Sequence, residues 1–597
     1  MSDVQLDEAR RLHRAGEFEK AAKLYEAVIR GNPRNLEAWQ RLGFLHGQCG
    51  RWDDAQFFFG KAIQLNPDSP DAHFLRGTAL QHLMRLVDAV VCFDAAVALR
   101  PNFAEALLNR AAALYRLRRY NEAGDDYDRL LAIDPHFPFT RGNRLFCRLQ
   151  CCDWRSFEEE NIAIMAGLRA GQRVVAPFDA KALSCTPEDE LNCARIWSHD
   201  QYQKTASPLW SGERYDHGKI RVAYLSADYR DGPIATLLTG VLEHHDRTKF
   251  ECIGIALSAS DGSPARARFE RSFSRFIDAS ALRDIEVASQ LRGMEIDIAV
   301  DLNGLTEGCR PQIYAHRPAP ILVNYLGFPG TVGTGFHDYI VADRTVIPDT
   351  AQRYYSESVV YLPDSFLPRD AAVDVAVSTA SRVSAGLPVE GFVFASFNNG
   401  YKITPAMFAI WMRLLRNVPQ SVLWLTQLNS LATENLKREA TGRGIENHRL
   451  IFAPYLPAAA DHLARLRFAD LVLDTLPYNA HTTASDALWA GVPVVTCVGS
   501  TFAGRVAASL LQTIGLPELV TLSLEDYEAL ALKLALAPAA LLELRSKVNE
   551  RRKSSPLFKT ERFTRHLERA FIEMHRRSQS GLKPESFAVS PYAGNLA

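Results

Sequence analysis

Apolar residues in the first quarter of the chain follow helical spacing inside a longer period. Prolines at 33, 67, 101 and 135 stand 34 residues apart. Twelve positions before each lies an alanine (Ala21, Ala55, Ala89, Ala123), and eight before each an aromatic (Tyr25, Phe59, Phe93, Tyr127). Small residues follow the prolines at fixed offsets, Ala38, Ala72 and Ala106, then Gly43, Gly77 and Ala111. A repeat whose small positions admit a neighbour's aromatic predicts paired helices stacked into a solenoid. Residues 1–145 therefore read as three full repeats plus an opening helix. Over 146–215 the register is lost, and the apolar positions at 146–154 and 188–204 predict irregular helices of a connector.

At Lys219 the pattern changes to short apolar runs, as in strands buried on both faces. Runs at 220–226, 250–257, 296–302, 321–326 and 339–342 alternate with helical segments. A second series runs through 392–397, 421–425, 449–452, 471–473 and 494–496. Such alternation predicts parallel sheets with helices on both faces. The reading is two doubly wound, Rossmann-like α/β domains, 216–380 and 381–577, facing each other across a cleft at their strand ends. Helices at 524–535 (capped by Ser523), 539–551 and 563–577 close the second. The aperiodic remainder, 578–597, is expected to be a loose tail.

Composition narrows the class. A formal charge of −1 gives no global field toward nucleic acid or an anionic membrane. The ten cysteines are scattered without a C-x-x-C pair, which fits reduced thiols better than disulfides or a zinc site. The first residues are charged and lack a signal peptide's apolar core. The longest apolar stretch, 529–544, is broken by Lys533 and Pro538, so no membrane span is expected. The expectation is a cytoplasmic protein with neither nucleic acid nor membrane as partner.

Candidate chemistry gathers at 470–496. Strand 471–473 leads into a turn ending at Asn479. His481, Thr482 and Thr483 then open a helix that Gly491 stops. Free N–H groups and the positive end of the dipole favour an anion at such a helix start. In an open α/β sheet the carboxyl edge is also where ligands bind. Lys402, in Phe397-Asn-Asn-Gly-Tyr-Lys402, leaves the first strand of the same domain at that edge. A compact ammonium there suits a departing diphosphate. Taken singly, these residues have bland readings too: a Thr-Thr helix cap, a satisfied histidine, a surface lysine in a turn.

The 34-residue period is that of the tetratricopeptide repeat. With the two α/β domains, the chain resembles the O-linked N-acetylglucosamine transferase family, including its bacterial and plant Spindly-like branch. The motifs carrying the resemblance are Arg317-Pro-Ala-Pro320 with Leu326-Gly-Phe-Pro-Gly-Thr331, Phe397-Asn-Asn-Gly-Tyr-Lys402, Ser421-Val-Leu-Trp-Leu425, Asn479-Ala-His-Thr-Thr-Ala-Ser-Asp486, Gly504-Arg-Val-Ala-Ala-Ser509 and Ser554-Ser-Pro-Leu-Phe558. The resemblance implies a glycosyltransferase B-type fold and an inverting transfer of sugar, N-acetylglucosamine from UDP-GlcNAc, to Ser or Thr of a protein held by the repeats. It implies no cofactor and no metal. By position, Lys402 resembles the lysine that stabilises the leaving diphosphate. His481, Thr482 and Thr483 resemble the diphosphate cradle, and Asp486 the acceptor of the ribose hydroxyls. His462 and Arg465 look like nucleotide-side contacts. Asn399 stands where animal enzymes carry glutamine and still offers an amide; it and Tyr401 are read as nucleotide-sugar contacts. Gly327, Pro329, Gly330 and Thr331 look like the first-domain loop facing the donor sugar.

Two positions depart from the family. In Asp228-Tyr-Arg-Asp-Gly-Pro233, Gly232 replaces the usual histidine. In Asp301-Leu-Asn-Gly-Leu-Thr-Glu-Gly308, Leu305 replaces histidine or tyrosine. Both lie on the acceptor and sugar side, where Asp228 and Asp231 are the candidate bases and Asp228 is equally a candidate helix cap. Two hypotheses follow: a transferase of N-acetylglucosamine, fucose or glucose, and a nucleotide-sugar-binding scaffold.

Overall fold

The structure is a computed structural model describing residues 2–202, 208–373, 375–376 and 380–592. The chain forms two compact units, 1–151 and 152–597.

The first unit is helical: α1 (Ser2–Arg14), α2 (Phe18–Gly31), α3 (Leu36–Gln48), α4 (Trp52–Leu65), α5 (Pro70–His82), α6 (Leu86–Leu99), α7 (Ala104–Arg116), α8 (Tyr120–Ile133) and α9 (Thr140–Gln150). The periodic aromatics Tyr25, Phe59, Phe93 and Tyr127 are all buried. Their seats explain the small residues. A Cβ at Gly77 would lie 2.6 Å from the Phe93 ring, and one at Gly43 2.9 Å from Phe59. Two expectations change. The opening helix, α2, has a partner, α1, which buries Leu6, Ala9 and Leu12. No proline marks α1 off, so the period did not reveal it. At the other end, α9 carries the unit past 145 to Cys151.

The second unit begins with α10 (Phe157–Arg169), α11 (Pro177–Ala180) and α12 (Pro187–Gln201). Here the expected connector is part of the body: Ser198 Oγ donates to Val332 O at 2.9 Å, and Ser500 Oγ to Cys185 O at 3.1 Å. Among the described residues fourteen strands follow: β1 (Ile220–Ser226), β2 (Phe250–Ala256), β3 (Arg275–Asp278), β4 (Ile298–Asp301), β5 (Ile321–Asn324), β6 (Tyr339–Ala342), β7 (Ser358–Tyr361), β8 (Val393–Ser396), β9 (Val422–Thr426), β10 (Leu450–Ala453), β11 (Leu471–Leu473), β12 (Val494–Cys497), β13 (Val520–Thr521) and β14 (Phe587–Ala588). One parallel sheet has the order β14-β7-β6-β5-β4-β1-β2-β3, the other β10-β9-β8-β11-β12-β13. Their central strands β1, β4, β8 and β11 are almost wholly buried, as the apolar runs require.

The carboxyl-terminal end corrects the domain boundaries. Helix Thr560–Gln579 returns to the first half, where Glu568 accepts from Asp246 N at 2.6 Å and lies 3.2 Å from His245 Nδ1. The segment expected to be loose from 578 adds β14 to the first sheet, pairing Phe587 with Val360. Val589 N continues the ladder to Tyr361 O at 2.9 Å. The expectation for 593–597 lies outside the described residues.

Candidate functional site

In the second sheet the chain builds outward through β8, β9 and β10, then crosses to β11 on the other side of β8. Loops leaving the carboxyl ends of β8 and β11 therefore diverge and open a crevice between them. Lys402 sits in the first loop, in the tight turn Gly400–Lys402, and His481 ends the second.

Asp474, immediately after β11, shapes the second loop. Its carboxylate accepts from Thr475 N at 2.7 Å, Ala480 N at 2.6 Å and Thr496 Oγ1 at 2.6 Å. Burial raises its pKa to about 6. Asn479 Nδ2 donates back to Thr475 O at 2.7 Å. Thus folded, the loop turns the Asn479 carbonyl toward Lys402, whose Nζ donates to it at 2.8 Å. The same ammonium lies 3.8 Å from the centre of the Tyr478 ring.

Lys402 is only 8% exposed and has no ion-pair partner among the described residues. Burial pushes its pKa down to about 7, against the pull of Asp474. A cation held this way is electrostatically incomplete, and an anion beside it would restore the charge.

Helix Thr482–Ala490 starts next to it. The backbone N–H groups of Thr482, Thr483 and Ala484 have no acceptor among the described residues, and His481 makes no side-chain cap. Both threonines are half-buried. Burial and the neighbouring Lys402 lower the His481 pKa to about 3, so its imidazole is neutral. Its Nε2 lies 3.1 Å from Ala503 O and must carry the hydrogen, leaving Nδ1 as an acceptor. Its ring therefore adds an acceptor, and the anion donors here are Lys402, the helix N–H groups and the threonine hydroxyls.

Of the nucleotide-side candidates, Asp486 lies on this helix, and His462 and Arg465 lie on the neighbouring helix Ala459–Leu466. Asp486 Oδ1 pairs with Arg369 Nη1, and Arg369 is 1% exposed. His462 Nδ1 accepts from Arg465 Nη2 at 2.9 Å, and its ring meets Phe397 edge-on at 5.7 Å. Burial lowers the His462 pKa, and because Nδ1 accepts from Arg465 the ring hydrogen sits on Nε2. Arg465 also holds Pro454 O and lies over Phe397. Tyr401 is buried, while Asn399 is exposed and lends its carbonyl to Lys402 N at 3.0 Å.

The first half presents its own switch point, between β1 and β4. Asp228 follows β1. It does not cap helix Pro233–His244, whose N-cap is Gly232. Its Oδ1 accepts from Arg230 at 2.8 Å and its Oδ2 from Asn303 Nδ2 at 3.0 Å. Gly327 follows β5, and a Cβ there would fall 2.0 Å from Leu302 O. Pro329 and Gly330 are buried. Thr331, expected to face a sugar, is fastened inside the loop instead: its hydroxyl donates to Glu357 at 2.5 Å and accepts from Ser356 N at 3.1 Å.

Sequence reasoning missed the contribution of α11 and α12. Phe178 packs against the cluster of Leu305, Phe328 and Val332 in the first half. It also stands 6.0 Å from Tyr401 and 6.2 Å from Tyr478 in the second. This segment walls the crevice, and Leu305 in that cluster has apolar neighbours where a histidine would need polar ones.

Comparison with known proteins gives the family and the fold. The model of glycosyl transferase family 41 matches residues 197–373 and 368–567. Tetratricopeptide-repeat models match 12–80 and 104–137. A probable UDP-N-acetylglucosamine–peptide N-acetylglucosaminyltransferase SEC of Arabidopsis thaliana is 34% identical over 438 residues, covering 72% of this chain and 45% of the relative. The corresponding SPINDLY protein of Oryza sativa is 31% identical over 386 residues, covering 63% and 41%. The chain thus spans less than half the length of these curated relatives. A solved mutant of the Thermobaculum terrenum O-GlcNAc transferase superposes with a TM-score of 0.60 at 27% identity, covering 97% of this chain and 98% of that one. It shares the order of a helical repeat region and two parallel α/β halves in a glycosyltransferase B-like arrangement. The chain belongs to glycosyl transferase family 41.

Proposed function

We propose that this chain is an inverting protein O-glycosyltransferase, moving a sugar, N-acetylglucosamine from UDP-GlcNAc in the first instance, to a Ser or Thr hydroxyl. The observation that carries it is the buried Lys402, without an ion-pair partner among the described residues, beside the uncapped start of helix Thr482–Ala490. Two relatives named for UDP-N-acetylglucosamine and peptide support the donor and the acceptor class. The repeats would guide the polypeptide, and no cofactor enters the reaction.

In this reading the acceptor oxygen attacks the anomeric carbon as the bond to the diphosphate oxygen breaks. The charge released onto the diphosphate is met by Lys402, the helix N–H groups, Thr482 and Thr483. Asp486, with Oδ2 outside its Arg369 pair, would take the ribose hydroxyls, and His462 and Arg465 would border the base. Tyr401 and Asn399 hold the Lys402 turn, and Gly327, Pro329 and Gly330 would line the sugar. Asp228 would take the acceptor's proton after releasing Arg230 or Asn303.

A second reading is a scaffold that binds nucleotide sugar without turnover. It is favoured by Gly232, which offers no side chain, and by Leu305 in its apolar cluster. Calorimetry with UDP and GDP, beside donor hydrolysis and transfer to a Ser/Thr peptide, separates the two. Binding with turnover is expected. Binding without it selects the scaffold, and no binding of either nucleotide sinks both.

The depressed Lys402 pKa sets a pH dependence. The ammonium is the useful form, so kcat/KM should fall as pH rises through about 7 in the free enzyme. Bound diphosphate favours the charged amine, so the limb in kcat should lie at higher pH. A pH profile of donor hydrolysis checks this. Persistence of kcat/KM to pH 10 would show that the Lys402 ammonium is not destabilised by its burial in the free enzyme, or is not used in the reaction.

A further inference from the structure

The connector carries a buried ion pair into the site. Lys181 follows α11 and Glu190 lies in α12, with Lys181 Nζ 2.8 Å from Glu190 Oε2. They are 3% and 7% exposed. Neither helix pattern nor repeat register asks for charge here, and a buried ion pair gives little net stability over apolar residues. Its placement therefore needs another account.

The pair abuts the first-half loop. The Cβ absent at Gly330 would lie 2.5 Å from Lys181 Nζ and 3.5 Å from Glu190 Oε2. Lys181 also lies over the Phe328 ring, 4.8 Å from its centre. The second half is close as well: the charge of Lys181 bears on His481, and that of Glu190 on Tyr478. So the pair stands where Gly330 of one half and the Tyr478–His481 loop of the other converge.

Both partners have unused capacity. Glu190 Oε1 is buried with no hydrogen-bond partner. The ammonium has three donors, and Glu190 is its ion-pair partner among the described residues. An orphaned buried carboxylate oxygen costs free energy until something donates to it. A hydroxyl donates and accepts at once, and two vicinal hydroxyls would match a carboxylate oxygen beside an ammonium.

We propose that Lys181 and Glu190 form a hydrogen-bonding dyad that recognises a vicinal hydroxyl pair on the transferred hexose, and so contributes to donor-sugar selection. The proposal rests on the nucleotide-sugar reading given above. The pair is a specificity element and takes no part in bond breaking.

Calorimetry on the full chain tests it, with UDP, UDP-GlcNAc and UDP-glucose titrated into the parent, Glu190→Gln and Lys181→Met. Loss of one hydroxyl contact should weaken the nucleotide sugars about tenfold while UDP stays within about twofold. Lys181→Met leaves a lone buried carboxylate and invites misfolding, so Lys181→Leu/Glu190→Leu is measured alongside, with thermal unfolding as control. An unchanged ratio of nucleotide-sugar to UDP affinity in folded variants overturns the dyad and leaves the transferase reading intact. A parallel loss of UDP affinity overturns it too, marking the pair as a structural brace. A parent that binds UDP but none of the sugars overturns both.

Discussion

Lys402→Ala is expected to lower the single-turnover rate of transfer, or of donor hydrolysis, by about two to three powers of ten, on the order of 3–4 kcal/mol. The expectation comes from geometry. The ammonium is fixed by the Asn479 carbonyl at 2.8 Å and by the Tyr478 ring, and among the described residues no carboxylate lies within ion-pair distance, Asp474 acting only from further off. It is already oriented and desolvated before any diphosphate arrives, which is what makes a charge effective in a transition state. Nucleotide affinity should fall less than the rate, because the N–H groups of Thr482, Thr483 and Ala484 remain. Lys402→Arg should not restore the parent rate, since a planar guanidinium does not fit the space between the Asn479 carbonyl and the ring. The variant should fold, because the residue removed is an uncompensated buried cation. A folded Lys402→Ala protein within about threefold of the parent rate, under roughly 0.7 kcal/mol, would remove Lys402 from the mechanism.

What could be read from the sequence follows from the range of the forces involved. The solenoid was legible because its steric fit is local and repeated: each Phe or Tyr needs one small residue at a fixed offset, as Gly77 and Phe93 show. The central strands were legible because burial on both faces leaves continuous apolar runs. Strand β3, Arg275–Asp278, was not, being a partly exposed edge with charged ends. Nor was β14, two residues that become a strand only because helix Thr560–Gln579 delivers them to β7.

The same division runs through the site. Lys402 and His481–Thr483 were visible because a strand, a turn and a helix start place them within a few residues. Asp474 lay in the same stretch, but its role arises only when the loop doubles back to Ala480. Arg369 was hidden because its partner, Asp486, is 117 residues away. Phe178, Lys181 and Glu190 sit in aperiodic sequence, and only tertiary packing brings Phe178 beside Tyr401 and Tyr478 and sets the Lys181–Glu190 pair against Phe328 and Gly330. For Thr331 the motif was recognisable, but the engagement of its hydroxyl with Glu357 depends on a residue beyond the motif.

Gly327→Ala is expected to be more damaging than its single added carbon suggests. The Cβ would sit 2.0 Å from Leu302 O, 2.9 Å from Leu302 C and 3.1 Å from Asn303 Cα. All three are backbone atoms, so no rotamer change relieves the clash, and the two loops must separate. Leu302 and Asn303 are buried at the end of β4, and Asn303 ties that loop to Ala227 N at 2.8 Å and to Asp228. Separation therefore strains the first half's switch point and moves the 327–331 loop together. A cost of about 2–4 kcal/mol in stability is expected, the scale for overpacking against an unyielding neighbour. A loop displaced by about 1 Å should also cut the rate by about 100-fold in the fraction that folds. Nucleotide binding should survive, because the Lys402 and Thr482–Ala490 region belongs to the other half. Denaturant unfolding gives the first quantity, single-turnover kinetics the second, and calorimetry with UDP the third. An alanine variant of parental stability and rate would mean that the 327–331 loop has slack, and that glycine is not required there by the approach to Leu302.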